Sequence, residues 1–224
     1  MSQQPIRADL IETHQAVIAS LGTPGSFWSG AERVAIAATV RTAVEQPDRP
    51  PWYRPAHEAH PQGGETPLPS AAVGAIWRLT NHPSTVTESW CAETIAGLDE
   101  PEQYVELLGL VAVVNAIDRF ARIVDRPLVE LPTPSPGRPT RAFVDGAAVT
   151  THWVPTATGE FNGMVLQSLT AVPAVETLVH DMAATHYMPI AVMLSEWDYD
   201  RGTLDRRQIE LVAARTSFNN DCFY

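Results

Sequence analysis

The segment from Asp99 to Val124 constrains the fold more than any other part of the sequence. Asp99-Glu-Pro-Glu102 has the pattern of a helix start, with Asp99 as the capping residue, Pro in the first turn and Glu102 completing a capping box. The residues that follow are apolar over a wide arc of a helix: Tyr104, Leu107, Leu108, Val111, Val114, Ile117, Phe120 and Ala121. Such a helix is stable only when neighbours cover it on more than one side, which predicts a bundle of helices.

Polar side chains lie on the last turns of the same predicted helix. They are Asn115, Asp118, Arg119 and Arg122. Because a polar group costs free energy when it is buried without a partner, we expect hydrogen bonds or ion pairs from this end of the helix. The nearby Trp77, Trp90 and Phe120 are expected in the core or in subunit contacts.

Helical spacing of apolar residues and alanines predicts further helices on both sides of this segment. They cover residues 30–43, 68–79 with Ser70 as a possible cap, 85–97, 162–171, 174–187 and 205–217. Residues 47–68 hold six prolines and a Gly-Gly pair, and they are expected to form an irregular exposed loop. The only candidate strands are short, at 142–145 and 150–154. The predicted class is all-α.

A run of five prolines between Pro127 and Pro139 suggests a boundary in the chain. The predicted organisation is a first unit at 1–126, a Pro-rich and irregular segment at 127–159, and a second unit at 160–224. Residues 32–43 loosely resemble residues 207–217, which suggests a degenerate tandem repeat.

Composition narrows the classes of partner and location. The formal net charge is −11 and the pI is near 5.0, so the surface would repel phosphate backbones and anionic lipids. We therefore expect neither a nucleic acid nor a membrane as partner. The first ten residues lack the apolar core of a signal peptide, and the longest apolar run, Leu107–Val114, is too short to span a bilayer. The protein is expected to be cytoplasmic, and its charged fraction of 18% favours a homo-oligomer.

All basic residues are arginines. The absence of lysine from the sequence excludes P-loop, Schiff-base and kinase mechanisms, each of which requires a lysine.

The two cysteines, Cys91 and Cys222, are expected to be free thiols in a reducing compartment. Asn219-Asn-Asp221 can end one helix and cap the next, which would place Cys222 at a helix N-terminus. The unpaired amides there would lower the pKa of the thiol, while the negative charge of Asp221 would oppose that effect. The alternative is a small buried cysteine without chemistry.

Glu210 precedes Cys222 by twelve residues, or about 18 Å on one straight helix. A chain reversal at Asn219 and Asn220 would bring the carboxylate to the thiol, where it could act as a general base. The alternative is an ordinary solvated glutamate.

The tail from Gln208 to Tyr224 resembles the active-site segment of the alkylhydroperoxidase D and carboxymuconolactone decarboxylase superfamily. The family signature is a helix with a Glu, a CxxC motif twelve residues later, and a His four residues after the second Cys. Glu210 matches the Glu and Cys222 matches the first Cys. Residues 102–120 look like the helix that closes a repeat in this family. Residues 30–125 resemble a first repeat without its cysteines, and 151–224 resemble the front half of a second.

The resemblance implies an all-α, AhpD-like bundle and a thiol-dependent peroxide reductase. Cys222 would attack the peroxide, a second thiol would resolve the sulfenic acid, and Glu210 would carry the proton. The implied partners are a small-molecule peroxide and a thiol reductant protein, with no metal and no cofactor. The second Cys is expected at position 225. The sequence ends at Tyr224, so we expect a fragment, a truncated relative or a recoded selenocysteine, and the activity belongs to the intact parent.

Two other functions remain open at this stage. One is a catalytically degenerate member that serves oligomer assembly or small-molecule binding, and the other is a lyase of the carboxymuconolactone decarboxylase type. His57 and His60 have metal-binding spacing but lack a clear third ligand. His180 and His186 face different sides of their predicted helix, and Asp198-Tyr-Asp200 is better explained as a polar turn than as a calcium site.

Overall fold

The computed structural model describes residues 6–45, 66–158, 164–195 and 197–219. Helices make up most of these residues, so the predicted all-α class is confirmed at that level. The helices are α1 (Ala8–Ser20), α2 (Gly30–Glu45), α3 (Ser70–Asn81), α4 (Glu88–Ala96), α5 (Pro101–Ile123), α6 (Met164–Gln167), α7 (Pro173–His186), α8 (Ile190–Ser195) and α9 (Arg206–Asn219). A 3-10 turn, Pro83–Thr85, precedes α4, and two short antiparallel strands, β1 (Asp200–Arg201) and β2 (Leu204–Asp205), precede α9.

Helix α5 lies at the centre of the bundle and contacts α1, α2, α3, α4 and α7. Val105, Leu107, Leu110 and Val114 are fully buried, because neighbours cover the helix on several sides as its apolar arc predicts. The start of α5 differs from the expected capping box. Glu100 occupies the N-cap position, and the Asp99 backbone N–H donates to Gln103 Oε1 at 3.1 Å.

The hydrophobic core joins the first helices to α7. Val175 and Met182 of α7 belong to the same buried cluster as residues of α1 to α5. Gly109 of α5 lies where a methyl group would collide with the Val175 side chain, so the two helices approach closely. Trp77 and Trp90 are buried as expected. Helix α7, which belongs to the second predicted unit, therefore packs directly on the first unit.

The polar side chains at the end of α5 find partners on other elements. Asp118 accepts two hydrogen bonds from Arg41, at 2.8 and 3.0 Å, and Arg41 also donates to the Val129 carbonyl. Asn115 and Arg119 donate to the hydroxyl and the carbonyl of Thr80. These contacts confirm the prediction that this end of the helix is tied to its neighbours.

The Pro-rich segment lies along the connection between α1 and α2. The backbone N–H groups of Ser135 and Thr140 donate to the carbonyls of Gly22 and Gly25, at 2.7 and 3.0 Å. The candidate strands at 142–145 and 150–154 are not formed. An isolated bridge between Ala148 and Thr156 is the only pairing assigned among described residues 127–158.

Two helices differ from the sequence prediction. Helix α1 was not predicted, although His14, Val17 and Ile18 form a buried stripe at helical spacing. Of the described residues 164–171 in the predicted helix 162–171, only Met164–Gln167 are helical. The Ser168 and Thr170 hydroxyls donate to nearby backbone carbonyls at that end, where such bonds compete with the helical pattern. Among the described helices, none is both long and apolar enough to cross a membrane.

Candidate functional site

Glu210, the predicted proton carrier, lies on the first turns of α9. The β1–β2 hairpin leads directly into this helix, and the Asp205 carboxylate accepts a hydrogen bond from the Gln208 backbone N–H at 2.9 Å. The Arg206 Nε donates to Glu210 Oε1 at 2.7 Å, in an i, i+4 arrangement on one face of the helix. One carboxylate oxygen is thereby fixed by a neighbour on the same helix.

Arg206 is itself held in place by the preceding elements. Its side chain is only 6% exposed, and its guanidinium donates to the carbonyls of Val192 and Met193 on α8. It also lies over the Trp197 ring, with the guanidinium carbon 5.2 Å from the ring centroid. These contacts connect α8 to the start of α9 and fix the orientation of the Glu210 carboxylate.

The second oxygen of Glu210 is bound by a residue from another helix. Tyr187 follows the last residue of α7, and its hydroxyl donates to Glu210 Oε2 at 2.5 Å. The adjacent Met188 is fully buried, which anchors the backbone at this point. Glu210 therefore accepts two hydrogen bonds, one from a phenol and one from a guanidinium.

These contacts lower the pKa of Glu210 and raise the pKa of Tyr187. The Tyr187 hydrogen bond, followed by the hydrogen bond and the charge of Arg206, holds the pKa of Glu210 below its usual value despite some burial. Burial and the bond to the carboxylate raise the pKa of Tyr187 to about 12. At neutral pH the pair is therefore a carboxylate beside a protonated phenol, an arrangement that can accept and return a proton.

Cys222, the predicted redox thiol, lies outside the described residues. Helix α9 is described as far as Asn219, and Glu210 is nine residues, about 14 Å, before that point. The expected approach of the thiol to Glu210 thus remains a prediction.

Neither Tyr187 nor Arg206 is among the residues predicted to contact Glu210. The sequence does contain a pattern that indicates Arg206, because an Arg four residues before a Glu on a helix is a standard pairing. No such pattern indicates Tyr187, because its approach depends on how the chain between α7 and α9 folds back.

Cys91 contrasts with the expected behaviour of Cys222. It is a free cysteine that is 2% exposed on α4, and burial raises the pKa of its thiol. A thiol in this state is a weak nucleophile. The structure therefore gives Cys91 no feature of a peroxide-reactive residue.

His180, His186, Asp198 and Asp200 do not assemble a metal site. In the described part of the chain, no group of three or more His, Cys, Asp or Glu side chains has metal-binding geometry. His57 and His60 lie outside that part. Asp198 lies in the bend between α8 and β1, and Asp200 is the first residue of β1, in agreement with a polar connection between helices.

His186 pairs with a residue that the sequence analysis did not connect to it. Its Nε2 lies 2.6 Å from the Nε2 of His14, at the contact between α1 and α7, and the rings of both contact Phe120. Burial lowers the pKa of His14. Burial, followed by the charges of His14, Arg7 and Arg201, lowers the pKa of His186 to about 4. Both imidazoles are therefore neutral at pH 7, which fits a hydrogen bond between them.

The chain was compared with known proteins at three levels. Protein-family models, curated protein sequences and solved structures all give no match.

Proposed function

We propose that this protein is a thiol-dependent peroxide reductase of the alkylhydroperoxidase type. In this proposal Cys222 is the redox thiol and Glu210 is the proton carrier. The observation that carries the proposal is the Glu210 carboxylate itself. It is held ionised by Tyr187 and Arg206, on the helix that leads towards Cys222. An ionised carboxylate can take a proton from a thiol within hydrogen-bond reach, so the proposal requires the chain after Asn219 to bring Cys222 to Glu210.

The proposed first step is a displacement at the peroxide. Glu210 takes the proton of the Cys222 thiol, and the thiolate attacks one oxygen of the peroxide ROOH. An S–O bond forms while the O–O bond breaks, so that Cys222 becomes a sulfenic acid. The leaving alkoxide takes up the proton held by Glu210 and departs as the alcohol ROH. Sulfur is oxidised by two electrons and the peroxide is reduced by two.

The proposed role of Tyr187 is to position the carboxylate and keep it charged between proton transfers. Its hydroxyl remains protonated because its pKa is about 12, and it donates to Glu210 throughout. In the second step a further thiol attacks the sulfenic acid and forms a disulfide with loss of water. A thiol reductant then returns the enzyme to its starting state.

The proposal includes the finer features of the family fold. These are an AhpD-like tandem repeat in which α2 and α9 correspond, a cytoplasmic location, and assembly into a homo-oligomer. Support for assembly comes from the apolar side chains that α9 exposes, since Leu211, Val212 and Phe218 are 71%, 61% and 72% exposed. A monomer mass from light scattering, across the micromolar concentration range, would contradict this part.

The test of the chemistry is a single-turnover reaction of the chain with hydrogen peroxide and with cumene hydroperoxide. The sulfenic acid is trapped with dimedone and assigned to a cysteine by peptide mass spectrometry. We expect the adduct on Cys222 and its loss in Cys222→Ser, whereas Cys91→Ser reacts like the wild type. Glu210→Gln should slow the reaction by about 100-fold, the usual effect of removing a general base.

The control for Glu210→Gln is Glu176→Gln, which removes a charge from the first turn of α7. It should leave the rate unchanged. A Cys222 that reacts at the rate of free cysteine in the wild type, or equally in Glu210→Gln, would refute the mechanism. Peroxide consumption that persists in Cys222→Ser would direct attention to lactone decarboxylation.

A further inference from the structure

A cavity of about 540 Å³ lies between helices α3 to α5 and residues 151–168, away from the residues that contact Glu210. Its walls come from α3, α4, α5, the 3-10 turn, residues 151–154 and α6. This volume falls within the range of roughly 300–1,000 Å³ that is typical of small-molecule sites. None of its lining residues takes part in the Tyr187, Arg206 and Glu210 cluster.

The walls of this cavity are mainly aliphatic. Leu79, Val86, Leu108, Val154 and Val165 all line it. The lining includes one imidazole, that of His152, and no carboxylate or guanidinium. A charged ligand would therefore lose its hydration here for little electrostatic gain, so the cavity favours a neutral and largely apolar molecule.

Cys91 and Tyr104 lie side by side on one wall of the cavity, and Thr151, His152 and Ser168 add polar side chains from other segments. Tyr104 is 1% exposed, and burial raises the pKa of its phenol well above the usual value, so it is a neutral hydroxyl. The Cys91 thiol donates to the Trp153 carbonyl at 3.6 Å and also interacts with the Tyr104 hydroxyl. The thiol proton is thus engaged with the Trp153 carbonyl, and the Tyr104 O–H faces the Cys91 sulfur. Sulfur is a weak acceptor, so a ligand oxygen can replace it as the acceptor of the Tyr104 O–H.

We infer that this cavity is a binding site for a neutral, mostly apolar organic molecule that carries one hydrogen-bond acceptor such as a ketone or ether oxygen. The aliphatic walls bind the apolar body, and the Tyr104 hydroxyl donates to the oxygen. The site is independent of the proposed peroxide chemistry, because it shares none of the Glu210 cluster.

The first test uses the neutral fluorescent probe N-phenyl-1-naphthylamine, titrated with the full chain. We expect saturable binding in the wild type and at least about tenfold weaker binding in Leu108→Trp, which fills the cavity, and in Val165→Trp, which narrows its mouth. The matched control is Val149→Trp. Val149 is 60% exposed, similar to Val165 at 63%, but it does not line the cavity.

The second test measures ligand selectivity by displacement of the probe. We expect 2-acetonaphthone to displace it at lower concentration than 2-ethylnaphthalene, and charged 2-naphthoate to displace it poorly. Tyr104→Phe should still bind the probe but should lose about a fivefold preference for the ketone, the value of one neutral hydrogen bond.

Three outcomes would overturn the inference. They are wild-type probe binding in a folded Val165→Trp, equally weak binding in Val149→Trp, and an unchanged ketone preference in Tyr104→Phe. The second of these would assign the probe to the exposed apolar surface in general. Because all readouts are of binding, failure here leaves the Cys222 test untouched.

Discussion

Two of the Arg–Glu pairs among the described residues lie in contrasting surroundings. Arg33 and Glu106 lie between α2 and α5, where their side chains are 10% and 3% exposed. Arg206 and Glu210 lie on α9, where the glutamate side chain is 39% exposed. In the first pair, burial raises the pKa of Glu106 despite its bonds to backbone N–H groups and the charge of Arg33. In the second, hydrogen bonds lower the pKa of Glu210.

The difference shows how burial and hydrogen bonding decide the proton affinity of the same residue type. Glu106 accepts the Phe27 backbone N–H at 2.6 Å and so holds the turn between α1 and α2 inside the core. Its carboxylate has little access to solvent. Glu210 keeps its charge through two side-chain donors while remaining partly open to water.

The largest expected effect comes from breaking the buried pair. Glu106→Ala leaves the Arg33 guanidinium buried without its carboxylate and removes the acceptor of the Phe27 N–H, so we expect a loss of about 3–5 kcal/mol in the free energy of unfolding. The matched variant Glu210→Ala should lose less, about 1–2 kcal/mol, because the glutamate is partly exposed and Arg206 keeps its bonds to the Val192 and Met193 carbonyls. Urea unfolding followed by circular dichroism measures both. Equal losses would contradict the contrast.

A smaller effect is expected at the ion pair that ties α2 and α5 to the Pro-rich segment. Asp118→Ala removes the two carboxylate oxygens that accept from Arg41. Arg41 is partly exposed and keeps its bond to the Val129 carbonyl, so we expect a loss of about 2–3 kcal/mol in the free energy of unfolding. The control is Glu100→Ala, because Glu100 and Arg141 are 44% and 50% exposed. That variant should change the free energy of unfolding by at most about 0.5 kcal/mol. A comparable loss in the control would refute the distinction.

The smallest expected effect concerns the hydrogen bond from Tyr187 to Glu210, whose contribution to stability depends on pH. Tyr187→Phe removes one hydrogen bond, at a cost of about 1 kcal/mol at neutral pH. The folded protein raises the pKa of Tyr187 from 10 to about 12, so the wild type gains stability below pH 10 and loses it as the pH rises to 12. Tyr187→Phe should lack this loss. The sequence has no lysines to titrate in the same range.

At acid pH, stability is lost as the pH falls rather than as it rises. The lowered pKa of Glu210 contributes stability above its ordinary value near 4.5, and that stability is lost as the pH falls through the folded pKa. Since Tyr187 is the main cause of this shift, the acid loss should be smaller in Tyr187→Phe. Chemical unfolding at a series of pH values checks both arms, and identical profiles for the two proteins would refute the Tyr187–Glu210 bond.

Much of the helical order follows from local patterns. The apolar arc of α5 and the alanine-rich α2 predicted both helices, and the prolines between Pro127 and Pro139 predicted a segment without helix. Helix α1 was missed although its buried stripe was readable. The polar residue His14 interrupts the apolar pattern of that stripe. Its burial depends on the hydrogen bond to His186, which is distant in the sequence.

The candidate site could be predicted only in part. Glu210 and its partner Arg206 lie on one helix at a spacing that the sequence displays. Tyr187 lies 23 residues earlier, and nothing local marks it as a partner. Cys222 lies outside the described residues, so its place in the site remains a prediction.

The sequence by itself determined the helical class, the positions of most helices and the acidic character of the protein, because helix formation and charge depend on neighbouring residues and on composition. Only the tertiary structure decided which arginine–glutamate pair is buried, that Tyr187 meets Glu210, and that a cavity lies beside Tyr104. Burial and long-range contacts depend on how helices pack, and packing is set by the whole core rather than by any one segment.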